Sequence, residues 1–96
     1  MMNPNTIEQE DADVATIEAL PYVLTLHNDD FNTFDWVIKC LVNVCNHKFL
    51  QATQCAHIVH NNGKCDVKKG DYDEIKTMYE KLQSANLTVS MQESET

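Results

Sequence analysis

Hydrophobic and polar positions alternate with different periods along the chain, and these periods predict six secondary-structure elements after residue 20. The sequence YVLTLH at 22–27 has the period of two that is typical of a β-strand, and the turn-forming residues NDD follow at 28–30. From Thr33 onward, apolar residues recur at intervals of three and four, which predicts an amphipathic helix that ends near residue 46. Asp35 lies in its first turn, where the helix dipole favours an acidic side chain.

The second half of the chain predicts two more helices and two more strands. A helix is predicted over residues 50–60, and Gly63 follows where a left-handed residue commonly ends a helix. Alternation over 64–69 predicts a short strand, a third helix with Tyr72 on its apolar side follows, and residues 87–91 alternate as a last strand. The order β-α-α-β-α-β predicts an α+β fold, a single compact domain in which a three-stranded antiparallel sheet packs against helices.

Charge separates the first twenty residues from the rest. The 96 residues carry a net charge of −8, and residues 1–20 hold five acidic residues and no basic one. Without an aromatic residue or a sustained apolar period, this segment is predicted to be a disordered acidic tail. It would precede a core domain at 21–92 and a C-terminal tail at 93–96. The acidic balance argues against nucleic-acid and anionic-membrane partners, because both are bound mainly through basic residues.

Four cysteines and four histidines raise the question of a metal site or a disulfide framework. No CxxC pair is present, and Cys55 belongs to the apolar side of its predicted helix while His57 belongs to the polar side, so a zinc site is disfavoured. We find no secretory signal and expect free thiols in a cytoplasmic protein. Neither a Gly-rich phosphate loop nor an activated nucleophile is apparent, so we expect no enzyme and no resident cofactor or metal.

The polar sequence HNDD at 27–30 is the best candidate for a binding site. A strand-to-helix turn alone would account for Asn and Asp through their hydrogen bonds to local backbone amides. Adjacent Asp29 and Asp30, however, bring more charge than one turn needs. An Asn carbonyl, an Asp carboxylate and a neutral His together suit an ammonium group with three N–H donors. Phe34 and Val37, one helical turn apart, could line an apolar pocket beside it.

Two sequence blocks resemble the signature of a known family. LHNDDFNTFDWV at 26–37 and QATQCAHIVHNNGK at 51–64 are similar to the signature blocks of ClpS, the adaptor that delivers N-end-rule substrates to the Clp protease. The resemblance extends over residues 22–91. It implies a monomeric, non-enzymatic adaptor that binds substrates beginning with Phe, Tyr, Trp or Leu. It also implies delivery to the N-terminal domain of a ClpA- or ClpC-type AAA+ unfoldase, in which the acidic tail would be engaged.

The resemblance further implies roles for individual residues. The α-amino group of the substrate would be bound by Asn28, Asp29 and His60. The pocket for its first side chain would be lined by Asn32, Phe34, Val37, Ala56, Val59 and Leu87. Lys76 on the third predicted helix would contact the unfoldase. Phe34 and Ala56 stand where the family commonly has methionine, which bears on the selectivity among first residues.

Two other functions stay open at this point. A docking module could bind the Clp unfoldase and modulate it without binding N-terminal residues. A small metal-binding or redox protein could use the cysteines and histidines. A peptide that begins with Phe separates the adaptor from the docking module, and the zinc content of the purified protein tests the third function.

Overall fold

The computed structural model describes residues 21–94, which form three β-strands and three α-helices. The strands are β1 (Tyr22–His27), β2 (Lys64–Gly70) and β3 (Val89–Glu93). The helices are α1 (Phe34–Cys45), α2 (Phe49–Asn62) and α3 (Tyr72–Ser84). The chain order β1-α1-α2-β2-α3-β3 confirms the predicted α+β fold class. The tail predicted at residues 1–20 and the last two residues of the tail predicted at 93–96 lie outside the described residues.

The sheet has β1 at its centre, with β2 and β3 antiparallel on either side of it. Leu26 of β1 pairs with Cys65 of β2 and with Val89 of β3, and the register against β2 shifts once, between Leu24 and Thr25. Because β2 starts directly after α2 and runs antiparallel to β1, the end of β1 lies beside the end of α2. This connection brings the two distant sequence blocks together.

The core contains apolar side chains from the central strand and from all three helices. Leu24 and Leu26 of β1 are at most 1% exposed and belong to one cluster with Leu41 of α1 and with Ile75 and Leu82 of α3. Complete burial of such a side chain stabilises the fold by about 2–3 kcal/mol. The strict period of two in β1 therefore anchors the strand from which the candidate site extends.

The local chemistry of the helix ends explains why the start of α1 was predicted well and why α2 was predicted too short. Thr33 caps α1 by accepting a hydrogen bond from the Trp36 amide at 3.1 Å, as its position before the apolar pattern suggests. Gly63 ends α2 in the left-handed conformation with φ of 96°. Helix α2 itself begins one residue earlier and ends two residues later than predicted, because its first and last turns are polar or exposed and carry no apolar period.

Two side chains lie differently from the pattern-based prediction. Tyr72 was predicted on the buried side of the third helix, but it is 46% exposed and its ring packs edge-to-face against Tyr22 at 5.1 Å. His47 lies in a segment where the apolar pattern stops, yet it is only 5% exposed, with Nε2 at 2.7 Å from the carbonyl oxygen of Val67. None of the helices within residues 21–94 has the length and apolar character that a membrane span needs.

Candidate functional site

A small cavity of about 30 Å³ lies where the end of β1, the start of α1 and the last turns of α2 meet. Nine residues were predicted to bind the α-amino group or the first side chain, and the structure brings eight of them to the wall of this cavity. The eight are Asn28, Asp29, Asn32, Phe34, Val37, Ala56, Val59 and His60. Leu26 and His27 of β1 complete the lining, whereas Leu87 is a core residue that is 4% exposed and is not part of it.

The backbone between β1 and α1 is fixed by contacts with the end of α2. The amide of Asn28 donates a hydrogen bond to the carbonyl oxygen of Gly63 at 2.9 Å, and His27 pairs with Lys64 at the start of β2. The left-handed conformation of Gly63 turns the chain from α2 into β2 and directs this carbonyl toward Asn28. His60, in the last turn of α2, is thereby held beside the strand end that carries Asn28.

The carboxylate of Asp29 organises the turn before α1. Its Oδ1 accepts hydrogen bonds from the amides of Phe31 and Asn32 at 2.8 and 2.9 Å. Its Oδ2 accepts from Asn32 Nδ2 at 2.8 Å and from Thr88 Oγ1 at 3.4 Å. Burial raises the pKa of Asp29, but the hydrogen bonds from Asn32, Phe31 and Thr88 together outweigh it and lower the pKa below its ordinary value. A carboxylate has about four acceptor positions, and here all four are used.

The start of α1 is also tied to the connection between α3 and β3. Asn32 Nδ2 donates a second hydrogen bond to the carbonyl oxygen of Asn86 at 2.9 Å, and the indole Nε1 of Trp36 donates to that of Ala85 at 3.0 Å. Asn86 has a positive φ of 70°, a conformation that asparagine tolerates better than most residues. The rim of the cavity is therefore anchored on a second side.

Asn28 and His60 differ from Asp29 because their side chains keep their hydrogen-bonding capacity. Both are exposed, and within residues 21–94 neither side chain makes a hydrogen bond. By contrast, Nε2 of His27 lies 2.8 Å from Ser90 Oγ on β3. Asn28 and His60 thus offer free polar groups at the cavity, whereas Asp29 and His27 are engaged within the fold.

The apolar part of the cavity is small, and Phe34 is the most exposed of the apolar residues that line it. The Phe34 ring is 36% exposed and makes edge-to-face contacts with the rings of His57 and His60, at centroid distances of 5.0 and 5.4 Å. Ala56 and Val59 behind it are 3% and 6% exposed. Pockets for small molecules usually enclose about 300–1,000 Å³, so this cavity would have to open to enclose a large aromatic side chain. Movement of the Phe34 ring is the simplest way to open it.

Lys76, the candidate for docking, belongs to a different surface. It lies on α3, which contributes no residue to the cavity. Its Nζ donates a hydrogen bond to Tyr72 Oη at 3.3 Å and lies 3.8 Å from Glu80 Oε2. The hydrogen bond to Tyr72 and the charge of Glu80 raise the pKa of Lys76. The structure therefore separates the candidate docking residue from the candidate binding cavity.

All four cysteines are free thiols, and two of them are in contact. Cys55 Sγ on α2 lies 2.8 Å from Cys65 Sγ on β2. Burial, together with the contact with Cys65, raises the pKa of Cys55 to about 12, and burial raises that of Cys45 to about 11. In the part of the chain that the structure describes, no three His, Cys, Asp or Glu side chains are grouped so that they could hold a metal ion.

The fold and the cavity define a small α+β domain with a polar and apolar binding cleft at one sheet end. Residues 18–90 match the family model of the ATP-dependent Clp protease adaptor protein ClpS, and the chain therefore belongs to the ClpS family. This confirms the resemblance found in the two sequence blocks. As a member of this family, the protein is an adaptor of the Clp protease.

Individual relatives agree with this assignment. The chain is 31% identical over 94 residues to the ClpS adapter protein of Corynebacterium aurimucosum, with 98% of this chain and 85% of the relative covered. It is also 31% identical over 93 residues to that of Thermosynechococcus vestitus, with 96% and 99% covered. Among solved structures it resembles Agrobacterium tumefaciens ClpS2 bound to L-phenylalaninamide. The TM-score is 0.70 at 19% identity, covering 79% of this chain and 99% of that one, a likeness of fold.

Proposed function

We propose that this chain binds proteins that begin with a bulky hydrophobic residue, Phe, Tyr, Trp or Leu, and delivers them to a Clp AAA+ unfoldase for degradation. The observation that carries the proposal is the cavity at the end of β1, where the unengaged side chains of Asn28 and His60 adjoin an apolar wall. A. tumefaciens ClpS2, which has the same fold, was solved with L-phenylalaninamide, and this supports a ligand of that class. We further propose that the protein acts as a monomer in the cytoplasm.

In this proposal the polar residues divide the work of binding an α-ammonium group. Asn28 Oδ1 and a neutral His60 ring nitrogen accept two of its N–H groups, because both side chains are free to do so. Asp29 contributes its negative charge at the rim and holds Asn32 in place, since its own acceptor positions are already used. Hydrogen bonds to a charged group are worth about 1.5–3 kcal/mol each.

The apolar wall supplies the rest of the affinity. Val37, Ala56 and Val59 would contact the first side chain, and burial of a Phe-sized group is worth about 2–3 kcal/mol. Leu87 is buried in the core and does not line the cavity, so its contribution to binding would be indirect. The cost of association opposes these contributions, so binding depends on both the ammonium contacts and the burial of the first side chain.

A peptide panel tests the proposal. Fluorescence anisotropy is measured for a labelled peptide that begins with Phe, for the same peptide beginning with Ala, and for its N-acetylated form. The Phe peptide is expected to bind, and the other two to lose at least about tenfold in affinity, because each lacks one half of the recognised group. His60→Ala should weaken binding in the same way, whereas Asn61→Ala, at the exposed next residue of α2 that does not line the cavity, serves as the control. Equal binding of the acetylated peptide contradicts the proposal.

A docking module that modulates the unfoldase without binding N-terminal residues is the second candidate. The small volume of the cavity, about 30 Å³, favours it. The same panel discriminates, because in this case no peptide binds while an isolated unfoldase N-terminal domain still does. The zinc content of the purified protein tests a metal-binding role. A metal site would give about one zinc ion per chain.

Lys76 is proposed to contact the N-terminal domain of a ClpA- or ClpC-type unfoldase. Its charged group lies on α3, away from the cavity, so both partners could be bound at once. Lys76→Glu should abolish co-purification with that domain and leave peptide affinity unchanged. Lys81→Glu makes the same charge change five residues further along α3 and is the control. Equal loss of docking in both variants would indicate a general charge effect and would contradict a specific role for Lys76.

A further inference from the structure

Cys55 and Cys65 form a thiol pair across the junction of α2 and β2. Their sulfur atoms are 2.8 Å apart, although ten residues separate them in sequence. Cys55 is 6% exposed, whereas Cys65 is partly accessible to solvent at the edge of the sheet. The two residues therefore form a contact between α2 and β2. Neither a metal site nor the proposed peptide binding accounts for this contact.

We propose that Cys55 and Cys65 are a redox site that forms a reversible disulfide when the protein meets a small aliphatic disulfide such as oxidised glutathione. A disulfide bond is about 2.05 Å long, so the two sulfur atoms need to approach by only roughly 0.8 Å. Side-chain rotation can supply such a movement while the backbone of α2 and β2 stays in place. The inference does not depend on which substrate or partner the cavity binds.

The solvent accessibility of the four cysteines indicates which thiol reacts first. Cys40, Cys45 and Cys55 are each at most 6% exposed, which leaves Cys65 as the thiol that a small disulfide can reach. The Cys65 thiolate attacks one sulfur of the reagent, forms a mixed disulfide and releases one reagent thiolate. Cys55 then loses its proton and attacks Cys65 Sγ, which releases the second reagent thiolate. Two protein thiols are oxidised, and one reagent disulfide is reduced to two thiols.

The cross-link would join α2, which lines the cavity, to β2, which is paired with the lining strand β1. Cys55 directly precedes Ala56, and Cys65 pairs in the sheet with Leu26, and both Ala56 and Leu26 line the cavity. The disulfide closes a short loop over residues 55–65, which restricts the unfolded chain. By the loop-entropy relation for a loop of this size, the melting temperature of a domain of this length should rise by about 10 °C or more.

Tryptic mapping of the full-length protein tests the proposal without any substitution. The reduced protein is incubated with oxidised glutathione at neutral pH, free thiols are blocked with an alkylating reagent, and the digest is analysed by mass spectrometry. Cleavage after Lys48, Lys64 and Lys68 places Cys55 in peptide 49–64 and Cys65 in peptide 65–68. Cys40 and Cys45 share peptide 40–48, so a disulfide between them stays within one peptide.

The expected product is peptide 49–64 linked to peptide 65–68, and reduction with dithiothreitol should reverse it. Cys65→Ser should abolish both the link and the rise in melting temperature, whereas the control Cys40→Ala should keep both. Recovery of Cys55 and Cys65 only as alkylated, glutathionylated or otherwise paired thiols overturns the proposal. A 49–64/65–68 link without an increase in melting temperature also overturns it, because the bond would then have formed outside the native arrangement.

Discussion

At the scale of single residues, neighbouring side chains of the HNDD sequence differ in what they do. One stabilises the turn before α1, and another keeps its hydrogen-bonding groups free. Asp29 accepts hydrogen bonds from Phe31, Asn32 and Thr88, while the side chain of Asn28 remains available beside His60. The sequence pattern offers two explanations for this segment, a turn or an ammonium site. The structure shows that Asp29 organises the turn, and the proposed binding of an ammonium group therefore falls to Asn28 and His60.

Replacement of Asp29 by Asn should therefore destabilise the domain. An amide has one acceptor oxygen, and its NH₂ group would face the donors of Asn32, so we expect a loss of about 1–2 kcal/mol in thermal or urea unfolding. Asp30→Asn, the exposed neighbour, is the matched control and should change little. If both variants unfold alike, Asp29 does not organise the turn.

The same contact predicts a dependence of stability on pH. The pKa of Asp29 is lowered in the folded state below its ordinary value of 3.8, so its contribution is fully present above that value. It is lost as the pH falls through the folded-state pKa. The difference in melting temperature between wild type and Asp29→Asn should accordingly shrink at strongly acidic pH and be constant near neutrality.

Phe34 is the residue for which a change in selectivity is expected. Phe34→Ala would remove a ring from the lining of the cavity and enlarge it, so binding of a peptide that begins with Phe should improve relative to one that begins with Leu by about fivefold or more. Phe31→Ala is the matched control, because Phe31 is 92% exposed and does not line the cavity. An unchanged Phe-to-Leu ratio in a competition assay would contradict the role of Phe34.

At the scale of elements, the end of α2 determines how the two sequence blocks meet. Gly63 has φ of 96° and open space where a Cβ atom would lie, so the cost of a side chain there is conformational. Gly63→Ala should destabilise the domain by about 1 kcal/mol, measured by urea unfolding. Gly63→Asn should cost less, because asparagine tolerates the left-handed region. A larger loss for Asn than for Ala would contradict this account.

How much the sequence could predict depends on whether a feature is local. The strand at 22–27 follows from a period of two within a few residues, and it was predicted correctly. The burial of His47 and the exposure of Tyr72 depend on tertiary packing that no local pattern contains. The contact of Cys55 with Cys65 depends on the register of β2 against β1, which is set by the whole sheet.

The candidate site follows the same rule. Residues carried by the two signature blocks were found together at the cavity, because a family motif summarises tertiary contacts that a single sequence does not display. Leu87 lies outside the blocks, and the structure puts it in the core. The small volume of the cavity and the full engagement of Asp29 required atomic positions, since both depend on distances between side chains.

At the scale of the whole molecule, the acidic segment at 1–20 contrasts with a domain that is nearly balanced in charge. Five of the 15 acidic residues precede residue 21, where the described structure begins. If this segment is engaged by the unfoldase, deletion of residues 1–19 should leave the affinity for a Phe peptide unchanged and slow degradation of a Phe-starting substrate. Reconstituted degradation with unfoldase and protease measures this. A deletion variant that delivers substrate at the full rate contradicts a role for the segment.

The anchoring of α1 to the connection between α3 and β3 also gives the protein an optical property. Trp36 is the sole tryptophan of the sequence, is 41% exposed, and donates its indole hydrogen bond to the Ala85 carbonyl oxygen. Its emission spectrum therefore depends on the contact between the first turn of α1 and the connection from α3 to β3. Any rearrangement that separates these two segments should shift that emission to longer wavelength as the indole meets water. The protein thus carries an intrinsic, dye-free reporter of movement at the rim of its own cavity.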